Sequence, residues 1–200
     1  MRTLILSGLF LLSTLSLYAQ GTNNNYDYDK EDLNNIFNEL GIKTFKFPIH
    51  QRADQFLNIV VEEYENKKLL KKISVIDDVR QTFGKIGIEG LSYFKPAADS
   101  VYFHRFYFFK KDSTLKMQIR AHGISQPLHF QLSGKSLYSI NTYNDDNGPV
   151  DEPKILLYLY ANSIEEKDKP LWCPNGLSKE QLLERFYYFI FVTIEPYKDE

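Results

Sequence analysis

The sequence predicts a mainly β protein, built as an antiparallel β-sandwich or a strongly bent sheet with two short helices. The chain carries 14 Tyr and 15 Phe residues, and these collect with Val and Ile in short segments, as strand surfaces favour. The segments follow one another at short spacing with little helical periodicity between them. Several have rings at consecutive positions, which would coat both faces of a strand. The alternative is an α+β cone, with a helix in the hollow of one curved antiparallel sheet.

The first residues, MRTLILSGLFLLSTLSLYAQ, have the organisation of a secretory signal peptide. Arg2 supplies the basic start, residues 4–17 the apolar run, and Ala19 the small residue before a cleavage site. The apolar run is shorter than the roughly 20 residues that span a bilayer. We therefore expect residues 1–19 to be removed, which leaves an exported protein, periplasmic or extracellular, with no membrane span.

The remaining chain is expected to be a flexible lead-in followed by one domain. Residues 20–31 are polar and rich in Asn and Asp, which is typical of a disordered segment. Residues 32–200 show no composition shift that would divide this β-rich domain. Its first helix is expected to begin at a cap, Asp32, and to end at Gly41. The apolar stripe that should pack on the rest of the domain consists of Leu33, Ile36, Phe37 and Leu40.

Strand periodicity follows this helix, and its clearest feature is a hairpin. Residues 56–64 and 69–76 lie on either side of Asn66–Lys67, which is expected to form a two-residue turn. That register places Glu62 opposite Lys71, a favourable cross-strand pair. Further strands are expected at residues 82–89, 101–110, 115–122, 128–132, 137–143, 155–160 and 187–194.

A capping box predicts the second helix. Ser178 is the N-cap, and Gln181 three residues later can reach back to it. Leu182, Leu183 and Phe186 supply an apolar inner face at helical spacing. The helix is expected to end near Phe186, directly before the last strand.

The stretch DSVYFHRFYFFKKDSTLKMQIRAH, residues 99–122, carries the candidate functional surface. A turn at Asp112–Ser113 would pair its halves so that Phe106 faces Ile119, which places apolar residues on one side. A slip of one residue would instead bury Arg105, at a high desolvation cost. The other side mixes rings with hydrogen-bonding and cationic groups. These candidate ligand-binding residues are Phe103, Arg105, Tyr107, Phe109, Gln118, Arg120 and His122.

Two interpretations of that side remain open. In the first, another element of the chain covers the rings, and the cationic side chains reach past them to water. In the second, the side is an open platform where rings stack on sugars or on peptide side chains, while polar groups fix the orientation. The predicted register sets Arg105 opposite Arg120. Such a like-charged pair needs an acidic partner, or a ligand that bears an acidic group.

Sequence motifs for catalysis or metal binding are not found. No H-E-x-x-H, G-x-S-x-G or phosphate-binding glycine loop occurs. We therefore expect no cofactor and no structural metal, and no catalytic residue can be named. One acidic loop is a candidate calcium site, because hard oxygen ligands suit that ion. Its ligands would be Asp145, Asp146, Asn147, Asp151 and Glu152. The one cysteine, Cys173, is expected to be a buried apolar residue beside Trp172.

The charge balance limits the class of partner. With 24 basic and 26 acidic residues, the chain lacks the strongly basic character of a nucleic-acid-binding protein. The leading hypothesis is a non-enzymatic binding module for a glycan or a protein partner. The alternatives are an envelope hydrolase with a scattered acid/base site, and a structural or assembly subunit. The sequence does not specify an oligomeric state.

The leader, the Asn/Asp-rich segment that follows it and the Tyr- and Phe-heavy strands resemble exported proteins of Gram-negative gut bacteria. Many of those proteins belong to families described as domains of unknown function. The resemblance implies export, and it transfers no site residue to this chain.

Overall fold

A computed structural model of the chain describes residues 30–53, 55–85, 96, 98–121, 123–143, 148–163, 165 and 176–197. The chain divides into two units, one that ends at Leu40 and one that comprises Gly41–Glu200. The predicted signal peptide, nearly all of the lead-in, and Trp172 and Cys173 lie outside the described residues. None of the helices among the described residues is long and apolar enough to cross a membrane.

The first unit contains helix α1 (Lys30–Glu39), which begins two residues before the predicted cap Asp32. The Leu40 amide donates a hydrogen bond to the Ile36 carbonyl at 3.0 Å and continues the last turn. Gly41 follows with φ +66°, as the predicted C-terminal cap requires.

The second unit contains nine strands and two helices among its described residues. In chain order these are β1 (Ile42–Gln51), β2 (Leu57–Glu65), β3 (Lys68–Ser74), α2 (Val75–Lys85), β4 (Ser100–Lys111), β5 (Thr114–Ala121), β6 (Ile124–Gln131), β7 (Lys135–Thr142), β8 (Lys154–Ser163), α3 (Lys179–Arg185) and β9 (Tyr188–Pro196).

The strands form two antiparallel sheets. The four-stranded sheet has the order β1-β4-β5-β6, and the five-stranded sheet has the order β3-β2-β9-β8-β7. Side chains from both sheets meet in one hydrophobic cluster, in which Phe106, Leu115 and Ile190 are completely buried. Two sheets that share one core form a sandwich, so the predicted fold class is confirmed. The alternative of an α+β cone, with a helix in the hollow of one curved sheet, is wrong, because the described strands form two sheets.

The predicted hairpin is confirmed, with a shift in its register. Asn66 and Lys67 have φ values of 47° and 65°, the two positive values that a type I′ turn requires. A β-bulge between Glu63 and Tyr64 then moves the pairing by one residue, so Glu62 lies opposite Lys72 and not Lys71. The expected pairing of Glu62 with Lys71 is therefore wrong, and Lys72 takes the place of Lys71, with its Nζ 3.8 Å from Glu62 Oε1.

The expectation of a strand at residues 82–89 is wrong for residues 82–85, because these end helix α2. Two side chains bind the first free amides of this helix. Ser74 Oγ accepts a hydrogen bond from the Asp77 amide at 3.3 Å, and Asn58 Oδ1 accepts one from the Ile76 amide at 3.1 Å. Asn58 is buried and comes from β2. A long-range contact, invisible in the local pattern, therefore helps to start the helix. Residues 86–89 lie outside the described chain.

Helix α3 covers the side of the five-stranded sheet that faces away from the shared core. Its predicted capping box is confirmed: Ser178 Oγ accepts from the Gln181 amide, and Gln181 Oε1 accepts from the Ser178 amide. Leu182 is fully buried in a second cluster with rings of β8 and β9. Phe189 and Phe191 stack there with ring centroids 5.1 Å apart and planes 5° from parallel. The five-stranded sheet is therefore packed on both faces.

Candidate functional site: the outer face of the four-stranded sheet

The register of β4 and β5 decides which side chains leave the core. Phe106 pairs with Ile119 and Phe108 pairs with Met117, as predicted, and all four side chains are buried. Asp112, in the connecting turn, has φ 53°, a conformation that Asp tolerates. Because side chains alternate along a strand, the neighbouring residues point away from the core. We call the surface that they form the outer face.

Six of the seven predicted site residues lie together on this outer face. Phe103 is 45% exposed and Arg120 is exposed. The other four, which are half-buried, are Arg105, Tyr107, Phe109 and Gln118. The rings of Phe103, Tyr107 and Phe109 belong to neither hydrophobic cluster of the described residues. The seventh predicted residue, His122, lies outside the described chain.

Strand β1 adds a residue to the face that sequence reasoning missed. Lys46 pairs with Arg105, which pairs in turn with Arg120. These three side chains form a line across three strands, which we call the cation row. The alternation of Phe45 and Phe47 with Lys46 was a signal for an outward lysine. No local pattern, however, shows that Lys46 pairs with Arg105, 59 positions further along the chain (105 − 46).

Rings and cations interleave on the outer face. Lys46 Nζ lies 3.8 Å from the centroid of the Phe103 ring, and Arg105 Cζ lies 5.8 Å from the same centroid. Arg120 Cζ is 5.7 Å from the centroid of Tyr107. These distances fall within the range of cation–π attraction. The rings therefore hold the cations on the surface without neutralising them.

The four-stranded sheet carries no acidic residue in any of its strands. Lys and Arg occur seven times in β1, β4, β5 and β6, and Asp and Glu do not occur. In the ion pairs between described residues, the acids bind cations elsewhere, such as Glu184 with Lys67 and Asp151 with Arg52. The like-charged pair of Arg105 and Arg120, predicted from the register, thus faces no carboxylate of its own sheet.

A shallow depression lies at one end of the cation row. It has a volume of about 580 Å³, within the roughly 300–1,000 Å³ that is usual for small-molecule sites. Phe103, Arg105, Arg120, Gly123 and Ser125 contribute to its lining. Gln118 Nε2 donates a hydrogen bond to Ser125 Oγ at 3.1 Å, which orients both groups beside Arg120. The depression offers polar donors beside an exposed ring.

Among the described residues, no group of three or more His, Cys, Asp or Glu side chains is placed to hold a metal ion. In the predicted calcium loop, Asp145, Asp146 and Asn147 lie outside the described residues. Asp151 is paired with Arg52, with Oδ1 3.0 Å from Nη2, and Glu152 is exposed.

A second groove, of about 700 Å³, contains carboxylates that bear on the hydrolase hypothesis. Asp77, Asp151, Glu152 and Glu195 contribute to its lining. Tyr197 Oη donates to Asp77 Oδ1 at 2.9 Å and accepts from Arg80 Nη1 at 2.7 Å. Asp151 forms an ion pair with Arg52. Two of the four carboxylates, Asp77 and Asp151, are therefore already bound to other side chains of the protein.

Two glutamates of β2 bind tyrosines near the start of β9, and one of these glutamates also binds the first lysine of β7. Tyr187 Oη donates to Glu65 Oε1 at 2.7 Å, and Lys135 Nζ lies 3.1 Å from Glu65 Oε2. These contacts, the tyrosine hydrogen bond first, hold the pKa of Glu65 below its usual range. Tyr188 Oη donates to Glu63 at 2.7 Å, and burial followed by this bond raises the pKa of Tyr188 well above its ordinary value.

Comparisons of the chain with protein-family models, with curated proteins and with solved structures found no significant match.

Proposed function

We propose that this protein is an exported, non-enzymatic binding module, and that the outer face binds a glycan or a protein partner. The observation that carries the proposal is the cation row set between Phe103 and Tyr107 on a sheet face without acids. Rings and guanidinium groups are the side chains that dominate binding energy at protein surfaces. The leader at residues 1–19 supports export.

The chemistry of the face suits recognition better than catalysis. Most of its described side chains are rings, cations, amides and hydroxyls, which can hold and orient a ligand. Two exposed histidines, His50 of β1 and His129 of β6, also lie in its outward register. A general acid/base pair needs two positioned groups, and the strands of this sheet contain no Asp or Glu that could partner either histidine.

A panel of glycans and an envelope extract would test the proposal. We expect Tyr107→Ala and Arg120→Ala each to weaken binding by about tenfold or more, as residues central to an interface do. Any extract component that is retained is identified, purified and measured again, so that each comparison uses one defined ligand.

Matched controls come from the edge of the other sheet. Leu69 is 49% exposed and Lys71 is exposed, and both lie on β3. Leu69→Ala and Lys71→Ala should bind as the unmodified protein does. Binding that is equally strong in all four variants would reject the outer face as the site.

A further inference from the structure

We infer that the ligand of the outer face is an acidic polysaccharide, whose carboxylate or sulfate groups bind the cation row while the sugar rings lie on Phe103 and Tyr107. This inference rests on the proposed function and narrows it to one chemical class. It follows from the distribution of charge, the spacing of the cations and the features of the sheet edges.

The charge distribution favours an anion. The whole chain has a formal charge of −2, yet five of the seven basic residues in the strands of the four-stranded sheet share the outward register, and these strands contain no acid. The five are Lys46, Arg105, Lys111, Lys116 and Arg120. Like charges on directly opposed strand residues are destabilising, and Arg105 and Arg120 are such a pair. A neutral ligand would leave their repulsion in place. An anionic group between them would relieve it, and the local positive potential would draw that group to the face.

The spacing of the cation row fits a chain that bears repeated acidic groups. Opposed residues on antiparallel strands are about 4.5–5.5 Å apart, so Lys46, Arg105 and Arg120 span about 10 Å. Both arginines can bind one carboxylate or sulfate through two parallel N–H donors. Lys46, at the end of the row, remains for a second acidic group. Ser125, opposite Arg120 on β6, continues the row with a neutral hydroxyl that suits a sugar hydroxyl.

The rings favour a sugar over an acidic peptide. Phe103 and Tyr107 lie on β4 on either side of Arg105, where the apolar faces of pyranose rings can stack. Extended peptides instead add to the edge of a sheet through backbone hydrogen bonds. The edge strands of this sheet are β1 and β6. They contain Pro48 and Pro127, which lack the amide that such pairing uses.

Single-stranded nucleic acid also binds faces that combine rings with cations. Acidic residues outnumber basic residues in this chain by 26 to 24. A nucleic-acid-binding protein typically carries a strong excess of basic residues, which this chain lacks. We therefore favour the polysaccharide and make nucleic acid an outcome of the experiment.

Titration calorimetry with paired probes would test the inference. Polygalacturonate is compared with its methyl ester, and dextran sulfate with dextran, so that the members of each pair share a sugar backbone and differ in charge. We expect binding to at least one acidic member, no binding to the neutral members, and an affinity that falls between about 50 and about 500 mM NaCl. Binding of polygalacturonate but not of dextran sulfate would indicate a site for carboxylates. Binding of dextran sulfate but not of polygalacturonate would indicate a site for sulfates.

Substitutions test whether binding depends on the cation row or on positive charge anywhere on the protein. Arg105→Gln and Arg120→Gln should each lower the affinity for the acidic probe by about tenfold or more, since each removes a charge-assisted contact. Lys71→Gln removes the same charge from the other sheet, and it should change the affinity by less than about twofold. The thermal midpoint of Arg120→Gln should change little, because the loss of the contact with Tyr107 is offset by the removal of a like-charged neighbour.

The outcomes distinguish this inference from the proposed function. Equal binding of acidic and neutral probes, or tighter binding of oligo(dT) than of polygalacturonate, would overturn the acidic polysaccharide. An acidic probe that binds Arg120→Gln as tightly as the unmodified protein would also overturn it. If a purified protein partner binds through Tyr107 and no polysaccharide binds, the inference fails while the proposed function stands. If no ligand depends on Tyr107 or Arg120, both fail.

Discussion

Glu65 shows how one residue makes stability depend on pH. Its carboxylate accepts a hydrogen bond from Tyr187 and pairs with Lys135, whose side chain is only 6% exposed. These contacts hold the pKa of Glu65 in the folded protein below the ordinary value of 4.5. The folded state thus favours the ionised carboxylate. Its contribution to stability is complete above pH 4.5 and is lost as the pH falls through the lowered pKa.

We therefore expect Glu65→Gln to reduce stability at neutral pH and to lose this disadvantage in acid. The urea midpoint of the variant should lie below that of the unmodified protein at about pH 7, and the difference should shrink towards about pH 3. Glu152→Gln, which removes an exposed carboxylate, is the control and should show little difference at neutral pH. A difference for Glu65→Gln that stays constant across this range would contradict the explanation.

At the scale of single elements, α3 depends on its cap. It has only seven residues, so propensity alone cannot hold it. Ser178→Ala removes the side-chain oxygen of the capping box and should cost about 0.5–2 kcal/mol. Ser178→Thr keeps an oxygen at the same place and should cost clearly less. Chemical denaturation of the two variants would measure this difference, and equal losses would show that the cap does not support the helix.

The elements also show what the sequence can predict. Helix α3 and the β4–β5 hairpin carry their signals locally, in Ser178 with Gln181 and in the alternation on both sides of Asp112. Their positions and the registers that follow were therefore predicted correctly. Helix α2 begins with the help of Asn58, a residue of a distant stretch of chain, and the bulge at Glu63 depends on the fit between strands. Neither the start of α2 nor the bulge can be predicted from a local sequence pattern.

Part of the candidate site was likewise predicted from the sequence, and part of it was missed. The residues of β4 and β5 were found because one turn connects their strands and fixes which side chains share a face. Lys46 was missed because its place beside Arg105 depends on the pairing of β1 with β4, and only the strand order of the whole sheet reveals that.

On the scale of the whole molecule, the two sheets share one core and should unfold together. Phe106 of the four-stranded sheet and Ile190 of the five-stranded sheet are both fully buried in the same cluster. Phe106→Ala should cost about 3–5 kcal/mol. We expect hydrogen exchange of the slowest amides to speed up equally in both sheets. Val101→Ala, at a 46% exposed position of the same strand, should cost less than about 0.5 kcal/mol. Faster exchange in the four-stranded sheet alone would show that the sheets open separately.

The unequal covering of the two sheets has a consequence for how such a protein can change over generations. The five-stranded sheet is packed on both sides, so nearly every substitution in its central strands alters the interior. The four-stranded sheet fills the interior with one set of alternating side chains and leaves the other set at the surface. Heritable variation can therefore replace the surface set one position at a time, while the interior set preserves the architecture. New preferences for molecular targets can arise on this side at little risk to folding.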